Sequence, residues 1–303
     1  MKFLYFLFMM EYTYPLYRPP SEANSLIFQV TEGCSFNRCS FCSMYRDKSF
    51  SEKPSDLVLK EIHHAAQRHP NTRRIFLADG DALYRDCASL QIILDALYKS
   101  FPLLNRVSSY ALPNNLIAKS AHELAQLKAS GLQLIYYGIE TGSPALLKCI
   151  TKGATPHKII EGIQKASAAG INVSATVILG LGGRQYWQEH IEGTAELVNQ
   201  LQLNYLSTLQ LTLDEKIKDE YRQKFSRQGR QFEPQGDSGM LEEQRLLVSL
   251  IEPKSPVIFR SNHASNALPL KGVLPKDRAT IISQLDRAHG DESQLVPSWL
   301  SGL

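Results

Sequence analysis

Six short, apolar, β-branched runs alternate with longer stretches of helical periodicity along this chain. The runs fall at residues 25–31, 74–78, 106–110, 133–139, 172–179 and 205–211. Between the first two, Leu57, Val58, Ile62, Ala65 and Ala66 share one helix face. Strands that alternate with helices pair in parallel through right-handed crossovers. Six such units predict an α/β fold: a partial (β/α)6 barrel with parallel strands, plus a smaller mixed C-terminal extension. Chemistry in such a barrel gathers at the C-terminal edge of the strands. Helix ends are marked. Ser120 and Glu123 make a capping box. Ser143 and Thr155 each precede a first-turn proline, and Gly131 and Gly170 stand where helices should stop.

The alternation breaks after Leu213. Residues 214–231 are charge-rich, with Leu213, Ile217, Tyr221 and Phe225 recurring every four positions, which predicts a solvated helix with one apolar stripe. Its Arg/Gln-rich end has an RNA-contacting alternative, but a solvated face is the simpler reading. Helices near 241–250 and 276–289 and a strand at 257–260 follow. The expected organisation is an N-terminal arm over 1–24, the barrel over 25–213, and an extension over 214–303 that is a candidate substrate cap. Pro19 and Pro20 favour an extended arm that seals the barrel bottom. Residues 1–9 read as an upstream extension or tail. They are too short to span a bilayer and lack a small-residue cleavage site, so a membrane role is not expected.

Cys34, Cys39 and Cys42 lie within nine positions, directly after the first expected strand. The chain has five cysteines, an odd number whose clustering suggests metal binding in a reducing compartment, hence a cytoplasmic protein. Cys87 and Cys149 read as buried small apolar residues. A structural zinc site wants four closed ligands. The nearest histidines, His63 and His64, sit in an expected helix without matching spacing. A [4Fe–4S] cluster with four protein ligands also needs one more. Three thiolates on such a cluster would leave one iron open for a chelating molecule.

The stretch TEGCSFNRCSFCSMYR resembles the cluster-binding loop of the radical S-adenosylmethionine superfamily, including the aromatic Phe41 before the last cysteine. The common loop of that superfamily has three residues between its first two cysteines; this one has four, Ser35 to Arg38. The resemblance implies a [4Fe–4S] cluster on Cys34, Cys39 and Cys42, with S-adenosylmethionine chelating the open iron. Reduction would then yield a 5′-deoxyadenosyl radical that takes hydrogen from a substrate. It implies an oxygen-sensitive enzyme with a flavodoxin- or ferredoxin-like electron donor. From Arg18 onward the chain is similar to a group distantly related to anaerobic porphyrin cyclase-like proteins.

The resemblance also assigns cofactor-binding positions. Asp79, Gly80 and Asp81 occupy the place of the turn that receives the cofactor's ammonium. Glu140, in GIETG, matches an acidic position beside the cofactor; the alternative is an ion pair with a lysine such as Lys152. Gly180, in the turn GLGG, matches a strand whose backbone holds the adenine. Read from position alone, Arg184 is a candidate for the cofactor carboxylate or a surface arginine, and Ser109, Tyr110 and Asn114 either face the cavity or make a polar turn before Leu116.

Substrate-side signals are sparse. Residues 260–272, RSNHASNALPLKG, are polar, and His263 is a candidate proton donor or acceptor. The plainer reading is a network that docks the C-terminal part. A net charge of +3 argues against a dedicated nucleic-acid surface. The expected substrate is therefore a small molecule or peptide. The rival functions are a non-catalytic zinc or iron–sulfur regulatory module and an RNA-modifying enzyme of the same chemistry. A cobalamin domain ahead of Cys34 and an auxiliary iron–sulfur site are not expected, as only about thirty residues of this sequence precede Cys34 and no second cysteine cluster follows.

Overall fold

The computed structural model describes residues 10–296; the reading of residues 1–9 falls outside that range. In chain order the strands are β1 (Leu26–Gln29), β2 (Thr31–Glu32), β3 (Ser51–Glu52), β4 (Arg74–Ala78), β5 (Arg106–Ala111), β6 (Leu132–Glu140), β7 (Asn172–Leu179), β8 (Tyr205–Gln210), β9 (Val257–Ser261) and β10 (Leu270–Leu274). The helices are α1 (Ser55–Arg68), α2 (Cys87–Ser100), α3 (Pro113–Ala118), α4 (Ala121–Ala129), α5 (Pro144–Cys149), α6 (Pro156–Ala168), α7 (Gly183–Asn199), α8 (Glu215–Arg227), α9 (Asp237–Leu250) and α10 (Arg278–Gly290).

One sheet runs β1-β4-β5-β6-β7-β8-β9-β10, parallel from β1 to β9 and antiparallel only at β10. The six expected strands are present, and the fold is the α/β, mostly parallel arrangement anticipated from their alternation. The extension is mixed, and its first strand continues the barrel sheet: β9 lies parallel to β8, with Arg260 opposite Ser207. β2 and β3 form a separate small antiparallel pair that brackets the cysteine loop.

The two sheet faces differ. Phe28, Ile75, Leu77, Val107, Ile135, Val173, Ala175, Leu206 and Phe259 belong to one buried core shared with helix residues such as Ile62, Leu94 and Ile163. Burying such a side chain stabilises by roughly 1.5–3 kcal/mol, so this face fixes the register of every strand. The other face carries Gln29, Phe76, Ser108, Tyr110, Tyr136, Thr176, Ser207 and Arg260, as the side-to-side pairings and period-two alternation require. Phe76, Tyr110 and Tyr136 meet edge to face there, with centroids 5.1–6.3 Å apart. Toward the strand starts, the arm fills this inner side. Buried Glu22 accepts from Arg106 Nη2 at 2.7 Å and from the Tyr136 hydroxyl at 2.6 Å.

The helix signals act as read. Ser120 and Glu123 close their capping box, Ser143 Oγ accepts from Leu146 N, and Thr155 Oγ1 accepts from Lys158 N. Gly131 and Gly170 take positive φ. Ile217, Tyr221 and Phe225 are the buried stripe of α8, and Cys87 and Cys149 are buried.

Candidate functional site

Cys34, Cys39 and Cys42 sit in the loop between β2 and β3, at the C-terminal edge of the parallel sheet. All three are free and partly exposed thiols. The loop is hooked to the α5–α6 connection. Ser40 N donates to Ile150 O at 2.9 Å. The ring of Phe36 lies against Gly153, where a Cβ would come within 2.5 Å of it. Arg46 ties the loop internally, donating from Nη2 to Cys39 O at 2.8 Å and from Nε to Cys42 O at 3.1 Å. The residue beyond the common spacing is absorbed by a turn at Asn37, whose φ is +39. Its N–H points at Cys34 Sγ (3.5 Å) and its side-chain amide donates to Tyr45 O at 2.6 Å. Asparagine tolerates that left-handed backbone better than most side chains.

Burial raises the pKa of each thiol, that of Cys39 to about 12, while the Lys152 ammonium works against it at Cys34, Cys39 and Cys42. Metal or cluster uptake must therefore displace protons. Among the described residues, no three His, Cys, Asp or Glu side chains converge tightly enough to hold a single metal ion. Thiolates that each bind a different iron of one cluster have no need to converge on one point.

Asp79 is fully buried and committed on one side. Its Oδ2 accepts from Lys48 Nζ at 2.7 Å, Gln29 Nε2 at 3.1 Å and Gly33 N at 3.1 Å. Its Oδ1 has no partner. Gly80 packs against Tyr45, whose ring carbon lies 2.5 Å from where a Cβ would stand. Asp81 accepts from Ser35 Oγ, and its Oδ1 is likewise buried and unpartnered. Burial pushes the Asp81 carboxyl up to about 6, opposed by its Ser35 bond. Thr31 Oγ1, Ser40 Oγ and Tyr45 OH are also buried without partners. An unsatisfied buried polar atom costs roughly 1–3 kcal/mol. Five gathered on the cysteine loop and the ends of β2 and β4 mark a place built for a polar molecule. Three soft donors with no fourth among the described residues, beside these atoms, fit a three-thiolate cluster and a polar cofactor.

Glu140 ends β6 with φ +64, a strained conformation for a side-chain-bearing residue. Its Oε1 accepts from Lys152 Nζ at 2.8 Å, the ion pair weighed against a cofactor role in the sequence. Gly138 leaves room for that carboxylate, since a Cβ there would lie 1.9 Å from Oε1. The turn after Glu140 is locked to α7. Buried His190 donates from Nε2 to Ile178 O at 2.9 Å and accepts the Thr141 hydroxyl at Nδ1, 2.8 Å away. Gly142 N donates to Thr194 Oγ1 at 2.9 Å.

Gly180 is used differently from the adenine-cradle expectation. Its N–H donates to Glu243 Oε2 at 2.6 Å, and its carbonyl accepts from Gly183 N at 3.0 Å. An added Cβ would meet Met240 Sδ, so its bareness serves α9 packing. Arg184 and Asn114 are exposed, the latter on α3, and Ser109 shares the helix-side parity of Val107, so of the two β5 candidates only Tyr110 faces inward. His263 lies in the β9–β10 loop, and its Nδ1 accepts from Ser265 N at 3.1 Å. Nearby Asn266 docks that loop, donating to Thr208 O and Ser261 Oγ and accepting from Gln210 N. The Arg-rich stretch running past the end of α8 is partly spent as well: Arg230, in the following loop, pairs with Glu189 at 2.8 Å and stacks on Tyr186. Sequence reading missed Lys48, Tyr45, His190 and Glu243. Lys48 meets Asp79, His190 meets Thr141 and Glu243 meets Gly180 across 31 to 63 positions, so no local pattern announces them.

Comparison with known proteins bears on the superfamily and the fold. Residues 28–198 match the Radical SAM superfamily. An uncharacterized methyltransferase of Pyrococcus horikoshii is 27% identical over 184 residues, covering 59% of this chain and 38% of the relative. A GTP 3′,8-cyclase of Sinorhizobium medicae is 28% identical over 153 residues, covering 49% and 42%. The chain thus spans less than half the length of these relatives. Among solved structures, coproporphyrinogen III oxidase from Escherichia coli superposes with a TM-score of 0.54 at 16% identity, covering 74% of this chain and 52% of that one. Methylornithine synthase gives 0.52 at 11% identity, covering 86% and 68%. At these identities the superpositions speak for the fold. Among the described residues no helix is long and apolar enough to cross a membrane.

Proposed function

The chain belongs to the radical SAM superfamily, whose enzymes use a [4Fe–4S] cluster and S-adenosylmethionine, and from that premise we propose that it cleaves S-adenosylmethionine reductively to start hydrogen abstraction from a substrate. When bound, the cluster and cofactor supply one chemistry: an electron breaks the cofactor's carbon–sulfur bond, and the 5′-deoxyadenosyl radical takes a hydrogen atom from substrate carbon. In this reading Cys34, Cys39 and Cys42 hold three irons and leave the fourth to the cofactor. Arg46 holds the loop carbonyls, and Lys152 offsets thiolate charge.

Asp79 Oδ1 and Asp81 Oδ1 are the acceptors proposed for the cofactor's ammonium, with Gly80 allowing close backbone approach. Glu140 keeps Oε2 clear of Lys152 for a further cofactor contact. Gly180 then contributes through strand placement, because its own polar groups are spent. The electron comes from a small reductant of the flavodoxin or ferredoxin kind. His263 stays a substrate-side candidate, as does the extension as a cap.

The observation that carries this reading is the single loop of three free thiols beside buried, unpartnered Asp79 and Asp81 oxygens. Anaerobic reconstitution followed by electron paramagnetic resonance tests it. The reduced protein should show a cluster signal that changes on adding S-adenosylmethionine, and 5′-deoxyadenosine should be released. A colourless protein that retains zinc, or a cluster signal indifferent to the cofactor, rejects it.

A further inference from the structure

One row of residues crosses the inner face of the sheet from the cysteine-loop side to its far edge. Successive pairings join Gly138 to Thr176, Thr176 to Ser207, Ser207 to Arg260, and Arg260 to Lys271. Directly paired residues point to the same side, so all five share the face opposite the helix-packed core. At its near end, Gly138 gives way to the carboxylate of Glu140, the residue paired with Lys152. At its far end stand two cations.

These side chains are not occupied by the fold. Thr176, Ser207 and Arg260 are partly exposed, and Lys271 is exposed. Arg260 donates only to the neighbouring carbonyl of Phe259, at 2.9 Å, and forms no ion pair among the described residues. Thr176, Ser207 and Lys271 make no side-chain hydrogen bond among the described residues. Several buried or half-buried cations elsewhere face carboxylates, namely Lys48, Lys53, Arg106 and Lys152, and buried Lys119 is satisfied by the carbonyls of Leu83 and Arg85. A planar guanidinium with open donors beside an ammonium suits a carboxylate or a phosphate.

We propose that Arg260 and Lys271 bind the anionic group of the substrate, with Ser207 and Thr176 contacting the part that leads toward the cluster. The assignment rests on the radical SAM reading of the same barrel and names its substrate class: a small molecule bearing a carboxylate or phosphate. At about 4.8 Å per strand, Thr176 and Arg260 stand roughly 10 Å apart, so the anionic end lies well away from the reacting carbon. The seventh parallel strand is what brings Arg260 to this face.

The test uses the full chain before and after anaerobic reconstitution, with citrate and inorganic pyrophosphate as separate probes in isothermal titration calorimetry. Saturable binding of one probe is expected, and the tighter probe tells carboxylate from phosphate. Arg260→Gln should weaken it at least tenfold and Lys271→Gln several-fold, whereas Arg287→Gln on exposed α10 should not. Absence of binding by either probe, or equal binding by wild type and both inner-face variants, overturns the assignment. Cluster content is read separately by iron analysis. Failure to take up iron would sink the radical SAM reading without touching the anion result, because the apo chain carries the same cations.

Discussion

Lys152 Nζ lies 2.8 Å from Glu140 Oε1 and 5.9 Å from the centre of the Phe41 ring, so one ammonium joins the end of β6 to the cysteine loop. Both partners of the ion pair are buried. Removing one charge strands the other. Lys152→Met should cost about 3 kcal/mol in chemical denaturation. The double variant with Glu140→Gln should recover a good part of it. Equal stability of Lys152→Met and wild type would contradict the pair.

The cysteines sort into two classes. Cys34→Ser, Cys39→Ser and Cys42→Ser should each reduce reconstituted iron to near background, measured by colorimetric iron analysis. Cys87→Ala and Cys149→Ala should keep it, at a stability cost of about 1 kcal/mol for lost packing. Iron loss in Cys149→Ala equal to that in Cys42→Ala would overturn the ligand assignment.

Burial pushes His190 down to about 4, against the Ile178 carbonyl and Glu189, which favour its charge. Between about 4 and 6.5 the unfolded chain takes a proton that the folded chain refuses. Stability from His190 is therefore full above pH 6.5 and lost as pH falls toward 4, by on the order of 3 kcal/mol. Glu243, raised by burial to about 8, acts oppositely: the unfolded chain ionises first, so its contribution fades as pH climbs from about 4.5 to 8. Comparing the pH dependence of urea unfolding in wild type and His190→Gln isolates the histidine. A shared acid slope would refute its role.

Gly138→Ala places a methyl where Glu140 Oε1 sits, 1.9 Å away. The carboxylate must move. A loss of at least tenfold in S-adenosylmethionine affinity is expected, with iron content little changed, by equilibrium dialysis of the reconstituted protein. Unaltered affinity would remove Glu140 from the cofactor site.

The parallel sheet was legible because each strand has a helix-side row of β-branched or aliphatic residues, as at Val173, Ala175 and Val177. The cysteines were legible because their spacing is itself the signal. Two things were hidden. Gly180 reads as part of an adenine cradle, yet its amide is claimed by Glu243 from a helix 63 positions later, and nothing near Gly180 foretells that. Arg260 reads as the junction of a short strand and a polar loop, and only the pairing of that strand with β8 turns it onto the inner face. Both depend on which distant strand or helix arrives alongside, a tertiary fact that local pattern does not encode.

The kink at Asn37 has a further meaning. It takes up the supernumerary residue between Cys34 and Cys39 inside a single turn, pinned through Tyr45, while Ser40 stays clasped to Ile150. Most of the disorder such a segment could possess is thus surrendered during folding, before any inorganic guest arrives. Assembly of the metal centre then demands little additional ordering of the polypeptide, and the free energy of the iron–sulfur bonds is kept for retention rather than for shaping the chain.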